Sequence, residues 1–301
     1  MGDAAQRSTI VVTGAGGPAG RTLGAQLTQV ADSRRLRVLG VDMTPREVTG
    51  YESVEAVPAA ADPAYDRAML ALIARHAPDL VVPTVADELP RMAVLTASAG
   101  LGNQVVLSAP GPAAIAADKL LTMWALAREG IPVPKHAGAD EFTSAPEALS
   151  WAGGPVVVKP RVARGGRGVH VVEDPHDEVW ERLDGSWIVQ AFAPRTEYSP
   201  QLYRSPGSGR TTVVVLEKTG RKEGRVGNAT TVRRLGDRDA PDVAALAESV
   251  VQSLDLVGPV DMDVRRLSDG TPVVLEVNSR FGAVSAHAPE LLDHVLADWP
   301  R

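Results

Sequence analysis

Short hydrophobic runs and amphipathic segments alternate along the first third of the 301-residue chain. Each run has the length of a buried strand, and each following segment places its apolar residues at helical spacing. The runs are TIVVTG, LRVLGVD, DLVVPT and QVVLSA. Strands that alternate with helices predict a doubly wound parallel α/β sheet. Its functional edge is expected at the carboxyl ends of the strands.

The pattern changes near residue 113. Two helical segments follow, and the second is predicted to begin at Asp118 and to stop at Gly130 and Pro132. From about Trp151 to Ala193 the hydrophobic period becomes that of strands, and long strands, one helix and a hairpin come after it. We therefore predict an α+β arrangement for the C-terminal two-thirds, with a small strand-rich lid inserted in it.

The segment VDMDVRRLSDGTPVVLEVN predicts a β-hairpin near the C-terminus. Asp269-Gly270 suits a two-residue type I′ turn, which would place Ser268 opposite Thr271. Alternate residues of a strand point to opposite faces, so one face of this hairpin is apolar. The residues expected on that core face are Met262, Val264, Leu275 and Val277.

The other face of the predicted hairpin carries acids. In this register Asp263 lies opposite Glu276, and Asp261 lies opposite Asn278. Two facing carboxylates repel each other by up to about 1 kcal/mol, and a divalent cation between them removes that cost. Oxygen ligands select a hard ion such as Mg²⁺. The alternative is a polar face that water screens, which the nearby Asn278 and Arg280 make less favoured.

A second cluster combines a buried strand with cations. The stretch VVVKPRVARGGRGVHVV runs from three valines into Lys159 and then into a glycine-rich loop with Arg161, Arg164 and Arg167. A solvated hairpin tip explains the loop but not the lysine, and a nucleic-acid loop would need interleaved aromatic residues. A phosphate clamp explains both, because glycines expose backbone N–H groups and the lysine adds a fixed charge.

Composition excludes several classes of protein. The net charge is −6 with a pI near 5.6, so neither nucleic acid nor an anionic membrane is expected as a partner. The chain contains no cysteine, which excludes disulfides, thiolate zinc sites and thiol nucleophiles. No signal-peptide pattern opens the sequence and no run has the length of a membrane span, so a cytoplasmic protein is expected.

Five segments, in order, resemble the ATP-grasp superfamily, in the branch that includes the large subunit of carbamoyl-phosphate synthase. VVTGAGGPAG resembles the opening of its pre-ATP-grasp domain, and Asp118-Lys119 begins the helix that leads to GIPVP. VVVKP with GGRG resembles the phosphate-binding lid, IVQAFAPRTEY the nucleoside-binding hinge, and LEVNSRFG the metal motif. The resemblance implies a Rossmann-like pre-ATP-grasp domain at 1–112 and an ATP-grasp domain at 113–301, with its lid at about 151–193.

The resemblance also implies roles for the matching residues. Backbone groups near the first hinge residues would hold adenine, and Glu197 would take the ribose hydroxyls. The implied ATP-binding residues are Lys119, Lys159, Gly165, Gly166, Gly168, Gln190, Ala191, Phe192 and Glu197. The implied ligands of Mg²⁺, or of Mn²⁺ in its place, are Asp263, Glu276 and Asn278. The implied catalytic residues are Arg280, Lys218 and Asn278, of which Arg280 would face the transferring phosphoryl group or its carboxylate acceptor.

The chain departs from the family pattern at three positions. Gln190 stands where a glutamate is common, Ser279 replaces a proline, and Asp263 lies where close relatives often have glutamine. None of these changes removes a required charge, so an active enzyme is expected. Lys218 and Arg233 lie on flanking strands, and surface charge is the simpler interpretation of both.

The glycine-rich opening leaves one competing interpretation. GAGGPA after a strand, with Asp42 at the end of the next strand, also satisfies a dinucleotide-binding motif and would predict an oxidoreductase. That function gives no role to the lysine loop or the acidic hairpin. At the same edge Asp87 and Glu88 either hold a substrate amino group or cap a helix.

The implied chemistry is ATP-dependent ligation of a carboxylate to an amine, both small and amino-acid-like, through an acyl phosphate. The alternatives are an enzyme that phosphorylates bicarbonate or carbamate, as carbamoyl-phosphate synthase does, and a catalytically silent ATP-binding protein. A homodimer stays open. The identities of the two substrates do not follow from the sequence.

Overall fold

A computed structural model describes residues 7–163, 165–223 and 226–300. Its N-terminal part contains strands β1 (Ser8–Thr13), β2 (Leu36–Asp42), β3 (Ser53–Ala56) and β4 (Leu80–Val82), with helices α1 (Pro18–Ala31), α2 (Tyr65–His76) and α3 (Leu89–Ala99). The strands form a parallel sheet in the order β3-β2-β1-β4. The predicted alternation is therefore confirmed, although the run QVVLSA makes only one bridge, between Val81 and Val105.

Two helices lead away from this sheet, α4 (Pro110–Ala117) and α5 (Lys119–Arg128). Asp118 caps α5, as predicted, because its carboxylate accepts hydrogen bonds from the backbone N–H groups of Leu120 and Leu121. The helix thus begins at Lys119 and holds the base of that side chain in a fixed position.

A second sheet is antiparallel and small. It contains β5 (His136–Gly138), β6 (Val156–Pro160), β7 (His170–Val172) and β8 (Trp187–Ala191) in the order β5-β8-β6-β7, and helix α6 (Ala145–Ala152) covers it. Val156, Val158 and Val189 pack on the side of α6. Lys159 and Ile188, which alternate with these valines, occupy the other face. We call this sheet, with α6 and its loops, the lid.

The third sheet has seven strands and carries most of the C-terminal part. Its strands are β9 (Glu197–Tyr198), β10 (Gln201–Arg204), β11 (Thr211–Val214), β12 (Leu216–Glu223), β13 (Val226–Arg234), β14 (Gly258–Arg266) and β15 (Pro272–Asn278). They run in the order β11-β10-β14-β9-β12-β13, and β15 pairs with β14. The segment TTVVVLEKTG is divided between two strands, because β11 ends at Val214 and β12 leaves to pair with β9 and β13.

Helices α7 (Pro241–Ser253) and α8 (Glu290–Asp298) cover this third sheet. Val243, Ala247 and Val251 of α7 pack with Met262 and Val264 in the largest core. No helix within the described ranges is long and apolar enough to cross a membrane. Lys159 of the lid and the acids of the hairpin in the third sheet lie on surfaces that face each other.

Candidate active site

The hairpin of β14 and β15 has the predicted register at its acids but not the predicted turn. Asp263 lies opposite Glu276, and Asp261 lies opposite Asn278. At the tip, however, the N–H of Leu267 donates to the carbonyl of Thr271 at 2.9 Å, which encloses three residues instead of two. Within this loop Gly270 alone has a positive φ, of 94°. The predicted type I′ turn is wrong, because that turn needs a positive φ at two successive residues.

A β-bulge at Leu275 restores the register between the turn and the acids. Val264 pairs with Val274, whereas the preceding Asp263 pairs with Glu276, so Leu275 is the extra residue. The prediction that Leu275 faces the core is therefore wrong, and Val274 takes that place. The carbonyl of Leu275 instead accepts a hydrogen bond of 3.0 Å from Nζ of Lys159.

Two buried lysines converge on the acid face of the hairpin. Nζ of Lys119 lies 3.5 Å from Oε1 of Glu276 and donates to the carbonyl of Ala163 at 3.1 Å. Lys159 reaches the neighbouring Leu275 from the lid. Burial lowers the pKa of Lys159 to about 8, and the nearby Glu276 limits that fall. Helix α5, the lid and the hairpin thus bring opposite charges to one place.

A second ion cluster lies beside the first. Nζ of Lys218 donates to Glu197 at 2.7 Å and to Asp263 at 2.6 Å, and Nε of Arg265 donates to Glu197 at 2.7 Å. Burial alone would lower the pKa of Lys218, but the two carboxylates raise it above its ordinary value. Burial likewise opposes ionisation of Asp263, yet Lys218 holds the pKa of that carboxyl below its usual range. Lys218 is therefore buried beside the candidate site.

Arg233 lies outside this cluster. Its side chain is 65% exposed and pairs with Glu217 at the surface. Surface charge, the simpler interpretation from the sequence, is therefore right for Arg233 and wrong for Lys218. The difference was hidden in the sequence because both residues lie on strands of similar pattern.

Arg280 is held by the acid at the start of the hairpin. Its Nη1 donates to Oδ2 of Asp261 and to the carbonyl of Phe281, both at 3.0 Å. Oδ1 of Asp261 accepts in turn from Ser199 at 3.0 Å and from Gln201 at 2.5 Å. Within the described residues, Nε and Nη2 of Arg280 have no hydrogen-bond partner. Sequence reasoning missed Ser199 and Gln201, which belong to no motif.

The cationic loop of the lid is only partly free to bind an anion. Gly165, Gly166 and Gly168 adopt positive φ angles of 66°, 70° and 72°, which side chains disfavour. Arg161, however, makes an ion pair of 2.6 Å with Asp118. The expectation that Arg161 belongs to an anion-binding cluster is thus wrong, because this residue links the lid to the start of α5. Arg164 lies outside the described residues.

The glycine-rich loop after β1 is filled by side chains of the protein. The N–H of Gly16 donates to Asp42 at 2.9 Å, and Nη2 of Arg46 donates to the carbonyl of Gly16 at 2.9 Å. The N–H of Gly16, one of the backbone donors that a dinucleotide phosphate would use, is therefore already occupied by Asp42. The oxidoreductase interpretation is disfavoured for that reason.

Glu88 is also used inside the fold. It is buried, and its carboxylate accepts hydrogen bonds from Tyr65 at 2.8 Å and from Thr13. Glu88 therefore supports the sheet edge, and an amino group held at this edge would have to use other atoms.

Residues 116–284 match the ATP-grasp domain family, which is more than half of the chain. The chain belongs to this ATP-grasp family. A search of curated proteins finds no match.

Solved structures show the same ATP-grasp fold. The L-amino acid ligase from Bacillus licheniformis superposes with a TM-score of 0.71 at 18% identity, over 94% of this chain and 70% of the ligase. The N5-carboxyaminoimidazole synthetase from Staphylococcus aureus, solved with ADP, gives 0.72 at 16% identity, over 98% and 78%. The D-alanine–D-alanine ligase from Bacillus anthracis gives 0.65 at 16% identity, over 98% and 97%. The resemblance found in the sequence motifs is confirmed.

The hinge of this ATP-grasp fold differs in detail from the expectation. The N–H groups of Ala191 and Phe192 donate to the carbonyls of Lys135 and Pro155 at 2.9 and 3.0 Å. These two amides are therefore committed to the lid and are not available as donors to adenine. The side chain of Gln190, in contrast, is buried without a partner for Nε2 among the described residues.

The donor set on the hairpin fits Mg²⁺. Asp263, Glu276 and Asn278 offer only oxygen ligands, which a hard cation prefers. In the described part of the chain no three His, Cys, Asp or Glu side chains form a metal cluster. A cation at this hairpin would therefore complete its shell with an amide oxygen, water or phosphate, as Mg²⁺ in nucleotide sites does.

Proposed function

We propose that this ATP-grasp protein is an ATP-dependent carboxylate–amine ligase that forms an amide or peptide bond through an acyl phosphate. The observation that supports it is the convergence of Lys119 and Lys159 on the hairpin of Glu276. Buried cations next to carboxylates suit a ligand that carries both phosphates and a divalent metal. A magnesium nucleotide has both.

The proposed reaction has two steps. An oxygen of the substrate carboxylate attacks the γ-phosphorus of ATP, and the bond to the β,γ-bridging oxygen breaks to release ADP. The nitrogen of the amine then attacks the acyl carbon, phosphate leaves, and the nitrogen loses a proton. Asp263, Glu276 and Asn278 would hold Mg²⁺, and the bound cation would supply neutralisation of phosphate charge.

The cationic residues of the chain have separate tasks in this reaction. Lys119 and Lys159 neutralise phosphate oxygens, which is most of what catalysis of phosphoryl transfer requires. Arg280 binds the substrate carboxylate. Its Nη1 is taken by Asp261, and the remaining Nε–Nη2 edge is the fork that matches two carboxylate oxygens.

The lid excludes water while the acyl phosphate exists. Lid loop atoms already contact the start of α5, since Arg161 pairs with Asp118 and the carbonyl of Ala163 accepts from Lys119. Closure at this place protects an intermediate that hydrolyses in water.

A pairwise screen tests the proposal. Purified protein, ATP and Mg²⁺ are incubated with amino acids singly and in pairs, and ADP and phosphate are measured. Release that depends on one acid and one amine together, with a condensed product in the mass spectrum, is the expected result. The Glu276→Gln protein, prepared in parallel, reports contaminating ATPase.

Two other outcomes have definite meanings. ADP release that depends on bicarbonate alone would replace the ligase with a bicarbonate-phosphorylating enzyme. Tight ATP binding without turnover for any pair would leave a nucleotide-binding protein without ligase activity.

A further inference from the structure

The segment 281–285, which follows Arg280, packs against helix α1 of the first sheet. Phe281 is 1% exposed and lies in one core with Leu23 and Leu27 of α1. The carbonyl of Phe281 also accepts a hydrogen bond of 3.0 Å from Nη1 of Arg280. The guanidinium of Arg280 therefore rests on backbone that the N-terminal part of the chain holds in place.

Two polar side chains on one face of α1 bind the same segment. Thr22 and Gln26 are four residues apart, so they are neighbours on the surface of the helix. Oγ1 of Thr22 donates to the carbonyl of Ala283 at 2.8 Å. Nε2 of Gln26 donates to Oγ of Ser285 at 3.1 Å, and both of these residues are buried. Segment 281–285 is thus held to α1 by hydrogen bonds as well as by apolar packing.

A short path of contacts leads from Gln26 to Arg280. The N–H of Ser285, which Gln26 holds through its hydroxyl, donates to the carbonyl of Gly282 at 3.2 Å and closes a turn there. Gly282 directly follows Phe281, whose carbonyl accepts from Nη1 of Arg280. Loss of the bond between Gln26 and Ser285 therefore loosens the turn that sets the position of this carbonyl.

Gln26 is an unfavourable choice if only stability is considered. Its Oε1 is buried and has no hydrogen-bond partner among the described residues. Burying an acceptor without a partner costs free energy, whereas an apolar side chain of similar length would avoid that cost. A buried glutamine at this position therefore indicates that its bond to Ser285 serves something other than stability.

We infer that Gln26 is a positioning residue for Arg280, on which it acts through Ser285, and that Thr22 supports it from the same face of α1. The inference rests on the proposed function, because it concerns the guanidinium that binds the substrate carboxylate. Helix α1 of the first sheet is thereby part of the structure that supports the acid site of the ATP-grasp domain.

Steady-state kinetics with the acid–amine pair from the screen tests the inference. Gln26→Met should lower kcat/KM for the acid about 5- to 10-fold, mainly through a higher KM, because Arg280 is less well oriented. The KM for the amine and the calorimetric affinity for ATP should stay within about twofold of wild type. The melting temperature should equal that of wild type or exceed it, since the unpartnered acceptor is gone. Gln29→Met, the same change at an exposed position of α1, is the control.

A double-mutant cycle tests whether the effect passes through Ser285. Ser285→Ala should give the same loss in kcat/KM for the acid as Gln26→Met. The double variant should be no worse than either single variant, because the two changes break one bond. Additive losses would overturn the path through Ser285.

The remaining contrary outcomes separate the inference from the proposed function. An unchanged KM for the acid in Gln26→Met, or a loss that Gln29→Met shares, would overturn the positioning role and leave the ligase standing. A loss of kcat alone together with a lower melting temperature would show a purely structural role and would also overturn it. Absence of acid-dependent turnover in wild type would overturn the proposed function and this inference with it.

Discussion

Asp261 and Arg280 are joined by a hydrogen-bonded ion pair of 3.0 Å, across the end of the hairpin that carries the candidate metal ligands. Ser199 and Gln201 hold Asp261 in place by donating hydrogen bonds to its other carboxylate oxygen, Oδ1. A Cβ atom added to Gly282 would lie 2.7 Å from Cγ of Asp261, so the chain is tightly packed around this pair. The guanidinium therefore has one orientation in which to meet a substrate.

Asp261→Asn should impair use of the carboxylate substrate. Removing the charge loosens Arg280, and lost positioning of this kind costs about 10-fold or more in rate. We expect a higher KM for the acid and a lower kcat, with ATP affinity within about twofold of wild type. Steady-state kinetics with the acid–amine pair from the screen measures this. Asp242→Asn, which breaks the surface pair with Arg266, is the control. An unchanged KM for the acid would exclude the positioning role.

Glu276→Gln should abolish turnover and leave the fold intact. The change removes a carboxylate from the candidate metal set and from the neighbourhood of Lys119, but it preserves size and hydrogen bonding. We expect at least about a 100-fold loss of ADP release, because metal and phosphate charge are no longer balanced. Thermal unfolding should match wild type. Glu248→Gln on α7 serves as the exposed control, and full activity in Glu276→Gln would remove the metal assignment.

ATP affinity should fall as the pH rises above 8. Burial depresses the pKa of Lys159 to about 8 in the folded protein, so the ammonium that a phosphate needs is present below pH 8 and is lost above it. If ATP binds only when this ammonium is charged, deprotonation of the one group makes ATP affinity about 10-fold weaker at pH 9 than at pH 7. Lys159→Arg keeps its charge and should flatten this profile. Calorimetric titration between pH 7 and 9 measures both, and identical profiles would exclude Lys159 as the titrating group.

Replacing Lys218 should lower the free energy of unfolding far more than replacing Arg233, a cation on the adjacent strand. Lys218→Met removes the shared partner of the buried Glu197 and the half-buried Asp263, leaving Arg265 as the partner of Glu197. Breaking a buried ion pair costs about 3–5 kcal/mol. Arg233→Met breaks only an exposed pair with Glu217, worth about 0–1 kcal/mol. Urea unfolding of the two variants gives the comparison. Equal losses would show that the buried cluster contributes no more than surface charge.

Much of this fold follows from local pattern. The alternation of strands and helices before residue 113 and the cap at Asp118 depend on nearby residues, and both are confirmed. The facing acids on β14 and β15 also follow from strand alternation. These features need no knowledge of tertiary contacts.

The rest depends on contacts between distant segments. Nothing around Arg161 in the sequence indicates that Asp118 binds it, and nothing around Gln201 indicates its place behind Asp261. The three-residue turn and the extra residue at Leu275 cancel each other in register, so the predicted pairing of the acids was right although its starting turn was wrong. Side chains that support a site from behind carry no motif of their own.

The extra residue at Leu275 separates two parts of the hairpin that would otherwise shift together. In an uninterrupted ladder, adding or deleting one turn residue would send every acid to the apolar side. In this hairpin, a one-residue insertion or deletion at the tip can be accommodated at Leu275, where the ladder is already irregular. The length of the hairpin turn can therefore change during evolution without moving the acids that are the candidate metal ligands. For the same reason, new sequence can be grafted at the tip of the hairpin.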